Sequence, residues 1–60
     1  MNKKYIVVFL NKKTLELKKF EEINTSSEKA YGAADAKLYE QCKEKGDLWE
    51  YWSLVKVVLV

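Results

Sequence analysis

The chain opens on an unbroken apolar run, Tyr5-Ile6-Val7-Val8-Phe9-Leu10, set behind Lys3-Lys4. Its β-branched, aromatic and aliphatic side chains would fall on both faces of an extended segment. Residues 3–10 are therefore expected to form a strand buried on both sides, at the middle of a sheet. Asn11-Lys12-Lys13 break the run and predict a turn. In residues 14–20, Leu15 and Leu17 alternate with Thr14, Glu16 and Lys18, the period of a half-buried strand. The Lys18-Lys19 pair suits an edge strand, where charge discourages unwanted pairing.

From about residue 26 to residue 45 the period changes. At 100° per residue, Ala30, Ala34, Leu38 and Cys42 share one side of a helix, with Tyr31 and Gln41 flanking them. Thr25-Ser26-Ser27-Glu28 reads as a capping box, with Thr25 as N-cap and Glu28 at the third helical position. Gly46 suits the C-cap, and Lys43 and Lys45 complement the C-terminal dipole. The small residues in the middle of the stripe let the helix approach a sheet closely. Residues 48–60 are rich in Trp, Tyr, Val and Leu and lack Pro. They predict a long last strand, bent or interrupted near Ser53.

The order is β-β-α-β. The second strand, helix and last strand form a crossover unit, which is right-handed and joins parallel strands. With the most apolar strand in the middle, the expected fold class is α+β. It is a three-stranded, mainly antiparallel sheet of order 2-1-3, with one helix packed on one face. Residues 1–60 are expected as a single small domain.

Parity assigns faces. If Leu15 and Leu17 mark the core, an even hairpin loop aligns them with Ile6, Val8 and Leu10, which then lie under the helix. A three-residue loop would want a left-handed residue at its bulge, a place Asn11 could take. The last strand offers two alternating sets. Trp49, Tyr51, Ser53, Val55, Val57 and Leu59 suit the helix side. The other parity then brings Trp52, Leu54 and Val58 beside Tyr5, Val7 and Phe9 on a face that nothing in the chain covers. Monomers rarely expose contiguous apolar patches larger than a few hundred Å². Tyr5, Val7, Phe9, Trp52, Leu54 and Val58 are accordingly expected to form an interaction surface.

Composition narrows the function classes. There is no His and a single Cys among 60 residues, so the chain alone builds neither a zinc finger, a His-based triad nor an internal disulfide. The short apolar run after Lys3-Lys4 ends at Asn11-Lys12-Lys13. It falls short of the ~7–15 residues of a secretory core, and no run reaches the ~18–20 of a membrane span. A cytoplasmic protein without a membrane partner is expected. Net charge is +2, but it is uneven: +5 over residues 1–20, −4 over 21–50 and +1 over 51–60. All 11 basic residues are Lys. Lys neutralises phosphates as a point charge but lacks the fork with which Arg reads bases.

Candidate chemistry is thin. Cys42 sits on the helix stripe with no His beside it and reads as a small core residue. Glu21, Glu22, Asp35, Glu40, Glu44, Asp47 and Glu50 show no metal-loop spacing, and Glu40 and Glu44 read as a solvated helix face. The Lys3-Lys4, Lys12-Lys13 and Lys18-Lys19 pairs, with exposed sheet aromatics, could hold single-stranded nucleic acid by charge and stacking. Trp49, Tyr51 and Trp52 form an aromatic cluster of the kind found both in cores and at interface hot spots.

The expectation is a non-enzymatic interaction protein without cofactor or metal, acting through protein contacts. A domain this small is marginal alone, which favours a homodimer. A regulator or inhibitor of a host protein, encoded by a phage or mobile element, suits its size. The alternative is a nucleic-acid-binding module using Lys3, Lys4, Lys12, Lys13, Lys18 and Lys19.

Overall fold

A computed structural model describes all 60 residues. Strand β1 spans Lys3–Asn11 and β2 Leu17–Asn24; helix α1 spans Ser27–Lys45. A single 3-10 turn, Trp49–Tyr51, leads into β3, Trp52–Leu59. The sheet order is β2-β1-β3, with β1 antiparallel to both neighbours and α1 on one face. This is the α+β, β-β-α-β arrangement that the sequence predicts. The central place of β1 follows from its two apolar faces: Val7, Val8 and Phe9 are all buried.

The β1–β2 hairpin is closed by Asn11. Its backbone N–H donates to the Glu16 carbonyl at 2.8 Å, and its carbonyl accepts from Leu15 N–H at 2.7 Å. Its side-chain Oδ1 accepts from the N–H groups of Lys13 at 2.9 Å and Thr14 at 3.0 Å. An Asn at the head of a turn is suited to this, since its side chain stands in for a backbone carbonyl. Four residues, Lys12 to Leu15, lie in the loop. The left-handed position at its end is filled by Leu15, at φ +65°.

The loop is even, as the parity argument requires, and Leu17 stands across from Leu10. The premise about which face is buried is overturned. Leu15 lies in the turn and is 73% exposed; Leu17 is 57% exposed. The helix covers the other parity. Tyr5, Val7, Phe9 and Trp52 pack with Ala30, Ala34, Leu38 and Cys42, and Phe20 and Val57 close the margin. Volume explains the choice. A stripe with two alanines in its middle brings the helix backbone close and needs bulky side chains opposite to reach close packing. Tyr5, Val7, Phe9, Phe20 and Trp52 supply that bulk, whereas Ile6, Val8 and Leu10 supply less. Phe9 anchors the centre, edge-on to Phe20 at 5.8 Å between ring centroids and tilted against Tyr31 at 6.1 Å.

The last strand also departs from both expected sets. It starts at Trp52, because residues 49–51 form the 3-10 turn. A bulge then shifts its register. Val8 pairs with Lys56 while Phe9 pairs with Leu54, leaving Val55 as the extra residue. Such an insertion swaps the parity beyond it. Trp52 and Leu54 before the bulge, and Val57 and Leu59 after it, therefore all share the helix side. Ser53, Val55 and Val58 do not.

The helix begins one residue later than the capping box suggests. Ser26, not Thr25, is the N-cap, and its side chain accepts from Lys29 N–H at 3.3 Å. β2 runs on to Asn24, whose side-chain Oδ1 takes the Thr25 N–H at 2.9 Å, and the helix starts after that connection. At the far end Gly46 is left-handed, φ 75°, as a C-cap glycine should be. No helix is long and apolar enough to cross a membrane.

Candidate interaction surface

Antiparallel pairing puts directly opposed residues on the same face of a sheet. The face away from α1 therefore carries four rows. The pairings set Leu17, Leu10 and Ser53 in one row and Lys19, Val8 and Lys56 in the next. Glu21, Ile6 and Val58 form the third, and Ile23 and Lys4 the fourth. Val55 enters from the bulge. Ile6, Val8, Leu17, Val55 and Val58, with Lys19 and Lys56, line a shallow groove along β1. Leu17, Val55 and Val58 are exposed, and Ile6 and Leu10 are half-buried.

Val8 is the exception in that groove, at 4% exposure with no helix above it. Its neighbours across both strands are lysines. Both are exposed, and a lysine's alkyl stem can cover apolar surface while its ammonium stays in water. Lys4 pairs with Glu21 at 2.8 Å. Lys19 and Lys56 make no ion pair, so this apolar strip is bounded by two uncompensated cations.

The expected interaction surface is thus split. Tyr5, Val7, Phe9 and Trp52 lie in the core, and Leu54 lies on the helix side, beside Tyr31 and Val57. Of the six, Val58 alone lies on the uncovered face. The residues missed are Ile6, Val8, Leu10, Leu17 and Val55. The signal for them was the Ala30/Ala34 pair, whose small size selects the bulkier parity of β1.

Nor do the six N-terminal lysines gather into one patch. Lys4 and Lys19 are on the uncovered face. Lys18 is on the helix side, its ammonium 3.1 Å from Gln41 Oε1 and 5.3 Å from the centre of the Trp52 ring. Lys12 and Lys13 are in the turn, and Lys13 stands 5.0 Å over the Tyr51 ring. Lys3 pairs with Asn24 at the start of the hairpin stem.

Other candidate groups serve structure. Cys42 is buried, and burial pushes its thiol above the usual value. The Lys18 and Lys45 charges pull the other way, and Asp47 adds to the rise. A protonated thiol in the core is a poor nucleophile. Glu22, also buried, meets Lys37 at 2.8 Å. Trp49 donates its indole N–H to Asp35 Oδ1 at 3.0 Å and packs edge-on against Tyr39 at 6.1 Å. That arrangement fixes the 3-10 turn to the outer flank of α1.

The chain matches no protein-family model, and no curated protein and no solved structure matches it.

Proposed function

We propose that this chain is a small protein-interaction module that acts by occupying a partner's surface, with no chemistry of its own. The observation that carries this reading is the uncovered face of the sheet. Ile6, Val8, Leu10, Leu17, Val55 and Val58 make it a continuous apolar strip along the central strand. A monomer gains by covering such a strip, because burial returns about 25 cal/mol for each Å² of apolar surface. Two occupants suit it: a second copy of this chain, giving the homodimer, or a segment of another protein. The nucleic-acid reading loses support, because the aromatics it needs for stacking, Tyr5, Phe9 and Trp52, are in the core.

The test is whether the strip is free and apolar in solution. Native protein should bind a fluorescent apolar dye such as anilinonaphthalene sulfonate. Leu17→Lys with Val58→Lys should abolish that binding while Tm moves by no more than about 4 °C. A native chain that neither binds dye nor self-associates in light scattering would contradict the reading.

A further inference from the structure

We infer that the uncovered sheet face takes an acidic amphipathic helix of another protein, laid along β1 between Lys19 and Lys56. This rests on the interaction reading above and names the chemistry of the partner.

Two observations carry it. The first is charge. The face holds Lys4, Lys19 and Lys56 against Glu21 alone, and Lys4 and Glu21 satisfy each other at 2.8 Å. Lys19 and Lys56 are left over. A second copy stacked on this face brings the same excess, so like charges oppose its apolar contact. An occupant with carboxylates on its flanks pairs with both cations and still covers the strip.

The second is spacing. Lys19 on β2 and Lys56 on β3 are both paired with Val8, so they stand on either side of β1. With strands ~4.8 Å apart, their backbones are separated by about 10 Å, close to the diameter of a helix body. A helix resting on Ile6, Val8 and Leu10 would have one lysine along each flank. β1 is nine residues long, about 30 Å, enough for a helix of roughly 20 residues. On the opposite face a helix of this length already packs against all three strands: α1 has 19 residues, and its Lys37 reaches Glu22 on β2.

The probe is a synthetic helical peptide of about 20 residues, matched to β1 in length. It carries a Leu/Ala stripe with Glu along both flanks; a control carries Lys instead. Binding is followed by calorimetry, with circular dichroism checking that each protein variant is folded. Wild type should prefer the Glu peptide, and added salt should weaken it. Lys19→Glu with Lys56→Glu should lose that peptide by about tenfold or more and gain the Lys peptide, as two exposed ion pairs become repulsions. Equal binding of the two peptides, or no exchange of preference in the double variant, overturns the proposal. A salt-insensitive dimer dispersed by Val58→Lys also overturns it, by assigning the face to a second copy, and leaves the interaction reading standing. A single-stranded oligonucleotide that displaces the Glu peptide from the face overturns both. So does a monomer that binds neither peptide nor dye.

Discussion

Lys37 on α1 holds its ammonium 2.8 Å from the carboxylate of Glu22, a buried group on β2. The pair ties the helix to the edge strand at the margin of the core. The lysine is more than half exposed, so water screens the interaction and moderates its strength. The ammonium meets the buried Oε2, and no other side chain lies within ion-pair distance of this carboxylate. Lys37→Met should therefore cost about 1–2 kcal/mol, mostly from leaving a buried charge uncompensated. Glu22→Gln in the Lys37→Met background should recover part of that loss. Urea unfolding of the two single variants and the double variant measures the coupling; additive effects would mean the pair contributes nothing.

The turn at Leu15 stores strain. A leucine at φ +65° is in the left-handed region, which costs a non-glycine residue roughly 1–2 kcal/mol. Leu15→Gly should relieve this, less what the unfolded chain gains in freedom, for a net gain of about 0.5–1 kcal/mol. Gly46 offers the opposite control. At φ 75°, Gly46→Ala should lose about 1 kcal/mol. Thermal melts should shift in opposite directions for the two variants; a lower Tm for Leu15→Gly would contradict this account of the turn.

The two faces of the sheet should respond to substitution in opposite ways. Phe9 is 2% exposed at the core centre and Trp52 is 7% exposed. Phe9→Ala should cost ~3–5 kcal/mol, comparable to the whole stability of a domain this small. Trp52→Lys should unfold the chain. Val58→Lys and Leu17→Lys, on the uncovered face, should leave circular dichroism unchanged. A folded Trp52→Lys variant would place the core on the wrong side of the sheet.

Cys42 links stability to alkaline pH. Burial raises its thiol above the ordinary value of 9.0, so the native state holds this proton more tightly than the unfolded chain. Its contribution is fully present below that value and is lost as pH rises through the native thiol's own ionisation. Cys42→Ala should therefore flatten the decline in stability above pH ~9, with one thiol removed from the linkage. Denaturant midpoints of both proteins across pH 8 to about 10.5 decide it; parallel slopes would contradict the linkage. The native thiol should also react with Ellman's reagent only as fast as the core opens.

The element order, the sheet order and the buried stripe of α1 were legible because each rests on a strong period or on a run apolar on both faces. Ala30, Ala34, Leu38 and Cys42 repeat every four residues, and no tertiary context competes with that pattern. The uncovered face was not legible from alternation alone. Leu15 and Leu17 alternate as core residues would. Yet a backbone turn claims Leu15, and the relative bulk of the two β1 parities decides the fate of Leu17. The bulge at Val55 is harder still. A break was expected near Ser53, but no Gly or Pro marks the extra residue two positions on, and that residue reverses the face of everything beyond it. Thr25 and Ser26 were near-equal caps, and the length of β2 chose between them.

The most direct test is an amide chemical-shift map of the isotopically labelled protein titrated with the Glu-flanked helical peptide. The account predicts perturbations at Ile6, Val8, Leu10, Lys19, Lys56 and Val58, with Ala34 and Leu38 on the far side of the sheet unmoved. Perturbations centred on α1 or on the Tyr39–Trp49 flank, with the uncovered face silent, would contradict it.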